Sequence, residues 1–186
     1  MVPVWQFGLT GILAVALVTD LQSRKIYNWL TFPAMIAGLV LSVAFGGLGG
    51  LQSAGIGFVV ATFLFIIGFL MNIGGSAGMG AGDVKLMAAI GLWLGWPTTL
   101  SAVVYITFIG GIISILTALA NGTLVKLFQN VLWFTKLALT PGANASVALT
   151  DSAAPPLPYG VSIVLGTLVA FFFPDVKVVI DSILGR

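Results

Sequence analysis

The 186-residue chain contains no cysteine, no histidine and no glutamate, and its only acids are five aspartates. Without cysteine there is no disulfide, no thiolate metal site and no cysteine nucleophile. Without histidine there is no Ser-His pair, no H-E-x-x-H metal helix and no His-ligated haem. Acid-base chemistry is left to Asp, Lys or Tyr, and no metal or other cofactor is expected. Charge of either sign is scarce: charged residues make up 6 % of the chain and hydrophobic ones 59 %, with a mean hydropathy of +1.17. This composition argues against an aqueous globule and for a membrane protein in contact with lipid. The pI of about 9.2 rests on a net charge of only +2, too thin a basic surface for a nucleic-acid partner.

What is present is long apolar sequence. The charge-free intervals are 1–19, 26–82, 86–125 and 152–174, and a spanning helix needs about 20 apolar residues. The first interval holds one helix. The second holds two, broken at "GGLGG" (46–50), where glycine favours a turn. The third divides at "GWPT" (95–98), its first helix starting near Asp83. The last holds a sixth helix, roughly 159–174, opened by "PPLPYG" (155–160) and closed by Pro174. The expected fold class is an all-α polytopic membrane protein of about six transmembrane helices, with one domain over 1–186.

Between the fifth and sixth helices, "TLVKLFQNVLWFTKLAL" (123–139) puts Lys126, Gln129, Asn130 and Lys136 on one helical face. It reads as an amphipathic helix lying in the interface, with a seventh span as the alternative. Residues 1–19 have the length of a signal peptide, but Arg24 and Lys25 follow the apolar run instead of preceding it, so a retained anchor is expected. Placing the N-terminus outside puts Arg24, Lys25, Lys85, Lys126 and Lys136 on the cytoplasmic side, leaving Lys177 and Arg186 outside, as the positive-inside rule asks. The pairs Gly46/Gly50, Gly78/Gly82 and Gly91/Gly95 have the small-xxx-small spacing that lets helix backbones approach.

Two aspartates attract attention. Asp20 closes the first helix and Asp83 opens the fourth, so two complete spans separate them and they share a membrane face in either orientation. Ionisable groups at a hydrocarbon boundary are costly and are kept for a reason. Each has an ordinary reading: Asp83 as a helix N-cap after Gly82, Asp20 as a solvated residue beside Arg24, Lys25 and Asn28. As a pair they have another. Two carboxylates in poor solvent do not both ionise easily, and the state with one shared proton is an acid-base device. One takes a proton from water attacking a peptide carbonyl, the other polarises the carbonyl oxygen, and the roles reverse as the amine leaves. Gly80 and Gly82 would let a peptide or a facing helix approach the carboxylate. A phosphate cradle fails because no G-K-[ST] follows and no G-x-G-x-x-G register occurs. A Ser-Lys protease using Ser76, Ser23 or Ser152 with Lys85 or Lys126 has no supporting spacing. A proton-coupled transporter or channel would use the same carboxylates, but such relays favour the membrane midplane over helix ends.

These residues resemble a known family. "GAGD" (80–83) matches the GxGD signature of intramembrane aspartyl proteases, and "GMGAGDVKLMAAIGLWLG" resembles the type IV prepilin peptidases. "DLQSRKIYNWLT" (20–31) fits the family's other aspartate, with Tyr27 in place of the usual proline. "LPYGVSIVLG" (157–166) resembles the Pro-Tyr-Gly opening of the family's last helix. The resemblance implies Asp20 and Asp83 as the catalytic pair and Gly80 and Gly82 as structural residues of the motif. Tyr159 and Asn28 are candidates for a substrate groove. It implies removal of short basic leaders from pilin-like precursors at the inner face of the cytoplasmic membrane. Larger members carry a tetracysteine zinc segment between the first two helices and methylate the new N-terminus. Only residues 21–28 occupy that place here, so the chain looks like the short peptidase-only form of tight-adherence (Flp-type) pili.

Overall fold

In the computed structural model, which describes residues 7–71, 79–125, 128, 129, 132 and 159–175, the regular elements are helical. They are α1 (Phe7–Ser23), α2 (Asn28–Met71), α3 (Ala81–Leu94), α4 (Thr98–Ala120) and α5 (Tyr159–Phe172). The expected helix breaks are present. Within α2, Gly47 has φ 57° and ψ −142°, a conformation open to glycine and strained for other residues. Beyond it the bare Cα of Gly50 packs on the Ser42 carbonyl, so α2 is a hairpin with limbs 28–46 and 48–71. Gly95 ends α3 and α4 starts at Thr98. Asp20 closes α1 as expected, lying in its last turn, and the helix ends at Ser23. Most of the amphipathic stretch 123–139, with Lys126, Asn130 and Lys136, lies outside the described residues, as do Ser76, Gly78 and Ser152.

Helix α3 is gripped by the α2 hairpin. On the first limb, the Trp93 indole N–H donates to the Ala34 carbonyl at 2.8 Å and Ser42 Oγ donates to the Leu92 carbonyl at 2.9 Å. On the second, Gly91 and Gly57 meet backbone to backbone, and the Trp96 N–H donates to the Ser53 carbonyl at 3.1 Å. Residues 86–95 are all buried, which is why this stretch can be apolar on every face.

Around it, α1 and α4 run antiparallel to α3 and α5 runs parallel to it. Gly8 of α1 sits against Trp93, so the opposite end of α1, with Asp20, lies at the start of α3. Phe7 and Phe171 meet edge to face at 5.3 Å, which sets α5 antiparallel to α1. Gly166 of α5 rests on Ile106 of α4, and Ser101 Oγ donates to the Pro174 carbonyl at 2.5 Å. One end of the molecule therefore gathers the end of α1 and the starts of α2, α3 and α5.

Polarity is inverted relative to a water-soluble domain. Ile36, Phe45, Leu48 and Phe108 point outward, while Thr31, Ser42, Thr99, Ser162, Thr167 and both aspartates are buried. An apolar exterior around polar internal contacts suits a hydrocarbon solvent. Helices α2 and α4 are long and apolar enough to cross a bilayer, and α1 and α5 are shorter apolar helices. Among the described residues the fold is all-helical, and its apolar exterior is that of a membrane protein.

Candidate active site

Asp20 comes from the last turn of α1. That helix closes with the Arg24 N–H donating to the Asp20 carbonyl at 2.8 Å, Arg24 itself taking a left-handed φ of 50°. The chain then needs only residues 24–27 to enter α2. Asp83 comes from the first turn of α3, where Gly80 is the N-cap with φ −82° and ψ 157°. The Gly80 N–H donates to Asp83 Oδ2 at 2.8 Å, and the Asp83 N–H donates back to the Gly80 carbonyl at 3.0 Å. The N-cap reading of Asp83 is thus corrected by three positions. Its carboxylate does satisfy an orphan N–H at the helix start, but from inside the first turn, as the third residue of a capping box does.

Both aspartates are 8 % exposed, although each lies in a terminal turn of its helix. The charge of Asp20 acts on Asp83, so two residues 63 apart in sequence are electrostatic neighbours. The Asp20 carboxylate has the Gly160 backbone N–H beside it and feels the Arg24 charge. Its Oδ2 is buried with no hydrogen-bond partner. A buried carboxylate oxygen without a donor is expensive unless it carries a proton or meets a ligand. The arrangement offers one carboxylate steadied by a backbone N–H and one with a free oxygen, which suits proton exchange through a shared water or substrate.

The other candidates separate. Gly82 is closed by the chain itself: a Cβ there would stand 3.0 Å from Ile26 Cβ and 3.1 Å from the Ile26 carbonyl. Its small size lets the α1–α2 link pass over α3, so the facing partner is that link. Gly80 is exposed, and the nearest atoms to a Cβ there are Asp83 Oδ2 at 3.5 Å and Gly82 N at 3.8 Å. Tyr159 is half-buried and close enough to feel the Asp83 charge, so it borders the pair. Asn28 is exposed and engaged elsewhere: its Oδ1 accepts from Lys85 Nζ at 2.9 Å, and the ammonium sits 5.6 Å from the Phe32 ring centroid. Lys85 thus has its own partners. Gly160 was not among the expected site residues, although it belongs to the Pro-Tyr-Gly stretch 158–160 that carried the resemblance.

A family model described as the type IV leader peptidase family matches residues 7–115, a segment that contains both aspartates but stops before α5. A prepilin leader peptidase/N-methyltransferase of Burkholderia pseudomallei is 37 % identical over 108 residues, 56 % of this chain and 34 % of that protein. Those of Neisseria gonorrhoeae and Aeromonas hydrophila are 30 % identical over 127 residues and 36 % over 95, covering 62 % and 47 % of this chain. The chain spans 43 % and 31 % of those two proteins, well under half of each. No solved structure matches it.

Proposed function

The chain belongs to the type IV leader peptidase family, and from that premise we propose that it is an intramembrane aspartic endopeptidase. On this reading it hydrolyses the leader from pilin-like precursors, using Asp20, Asp83 and water. The observation that carries the proposal is the burial of two carboxylates gathered at one end of the bundle by α1, α3 and α5. The aspartates would share one proton. Water, deprotonated by the ionised carboxylate, adds to the scissile carbonyl carbon while the protonated partner donates to the carbonyl oxygen. The tetrahedral intermediate then collapses, the C–N bond breaks, and a carboxyl proton passes to the departing amine. The Gly80 N–H on Asp83 Oδ2 keeps that carboxylate in one orientation through the cycle.

Placement supports this chemistry. A regular transmembrane helix hides its carbonyls in hydrogen bonds, so hydrolysis belongs where an extended leader gives way to helix, near the interface. Asp20 and Asp83 lie in terminal turns, not at the helix centres where a transport relay would put them. Counting both limbs of α2, the six helical limbs are read as six spans, with the N-terminus outside and the aspartates at the cytoplasmic face of the inner membrane. Residues 24–27 between α1 and α2, in a chain without cysteine or histidine, cannot hold a tetracysteine zinc segment. We therefore read a single peptidase domain without methyltransferase activity. Co-expression with candidate pilin precursors, followed by N-terminal sequencing of the product, tests the proposal. A new N-terminus after a basic leader supports it, and intact precursor with every candidate refutes it.

A further inference from the structure

The first turn of α5 packs on the Asp20 half of the site and lies within electrostatic range of Asp83. A Cβ on Gly160 would overlap the Asp20 carboxylate, with the carboxyl carbon at 2.7 Å and Asp20 Cβ at 2.9 Å. These are the near atoms of a short side chain, which has no flexible tip to swing aside. Asp20 Oδ2 has no hydrogen-bond partner, and the backbone N–H beside the carboxylate is that of Gly160 itself, so the same residue supplies both the room and the nearest donor. The preceding residue, Tyr159, feels the Asp83 charge.

The geometry points to Gly160 as a positioning residue: its missing side chain forms the slot that receives the Asp20 carboxylate, and α5 thereby sets the spacing between Asp20 and Asp83. The inference rests on the dyad reading above and extends it to a helix beyond residue 115, where the family match ends. The competing account is simple helix packing, of the kind seen where Gly166 meets Ile106.

Kinetics separate the two. With purified full-length protein and a precursor of basic leader followed by apolar helix, Gly160→Ala should lower kcat about 100-fold, as expected for a reacting group displaced by about 1 Å. KM should stay within about twofold, since the loss falls on the transition state and not on uniform binding. Gly8→Ala is the packing control. Its Cβ would stand 2.9 Å from the Trp93 ring at the far end of α1, so it should lower Tm and leave kcat unchanged. An unchanged kcat in Gly160→Ala, or equal losses in both variants, overturns the inference.

In case Gly160→Ala does not fold, the cysteine-free chain permits a direct measurement. In the double variant Asp20→Cys, Gly160→Cys the Cβ positions start at 2.9 Å, just below the roughly 3.5–4.5 Å of a disulfide. Oxidation in membranes should therefore consume both thiols, and free thiols after oxidation refute the slot. This readout needs no cleavage. Cross-linking in a protein whose wild type leaves every precursor intact defeats the peptidase reading but keeps the placement of Gly160. Cleavage by wild type without cross-linking defeats the inference alone.

Discussion

Asp20 and Asp83 are each one carboxyl oxygen away from losing their proposed role. Asp83→Asn keeps an amide oxygen able to accept the Gly80 N–H, now 2.8 Å from Oδ2, yet removes the proton acceptor. Asp20→Asn does the same to the partner. Each substitution should lower precursor cleavage by at least the roughly 10²–10⁴-fold that acid-base groups contribute, with helical circular dichroism retained. A chelator should leave the wild-type rate unchanged, because the dyad works without a metal. Lys85 carries the opposite expectation. It is tied to Asn28 and Phe32, so Lys85→Ala and Asn28→Ala should each retain cleavage and cost stability by less than about 1 kcal/mol, as exposed polar pairs do. The double variant should cost no more than the larger single loss, since both remove one contact. At this scale the aspartates were legible because a carboxylate in so apolar a chain stands out. The Lys85–Asn28 bond and the Gly160 slot were not, because each depends on which residues the packed helices bring face to face.

Helix boundaries followed from composition more readily than helix contacts did. The Gly47 turn and the start of α4 after "GWP" fell where glycine and proline accumulate, whereas the partners of the small-xxx-small pairs did not follow from spacing. Gly91 meets Gly57, which stood in no quoted pair, and nothing lies within 4 Å of a Cβ on Gly46. Identical spacing therefore hides opposite consequences. Gly91→Ala drives a methyl into the Gly57 backbone, which neither helix can yield without separating, and should destabilise by about 1–3 kcal/mol. Gly46→Ala meets open space in helical backbone and should be neutral or stabilising by up to about 1 kcal/mol, through the lost flexibility of glycine in the unfolded chain. Thermal unfolding in one detergent, read by intrinsic tryptophan fluorescence, should put Gly91→Ala clearly below wild type and Gly46→Ala level with it. Equal shifts would show that α3 is not held by close approach to the second limb of α2.

The proposed reading turns the aspartate end of the whole molecule toward the cytoplasm, and that orientation can be tested without any substrate. Sequence reasoning reached it from basic residues alone, five on one side and two on the other. Lys126 and Lys136 of the five, and both outer ones, lie outside the described residues, and the contacts within the bundle show only which residues share an end. They place Arg24, Lys85 and both aspartates at one end and the Gly47 turn at the other. A chain without cysteine is a clean background for single-cysteine labelling. Gln22 at the end of α1 is exposed, and Leu48 just past the turn is 85 % exposed, so neither substitution disturbs the interior. In intact cells a membrane-impermeant maleimide should label Leu48→Cys directly and Gln22→Cys only after permeabilisation. The reverse pattern would move the aspartates to the outer face and remove the proposed encounter with a cytoplasmic leader. Labelling of both from outside would mean that limb 28–46 does not cross, and the six-span reading would fall with it. That the two cysteines label from opposite sides follows from one physical requirement, whichever face the acids share: the two acids can act together only if an even number of crossings separates them.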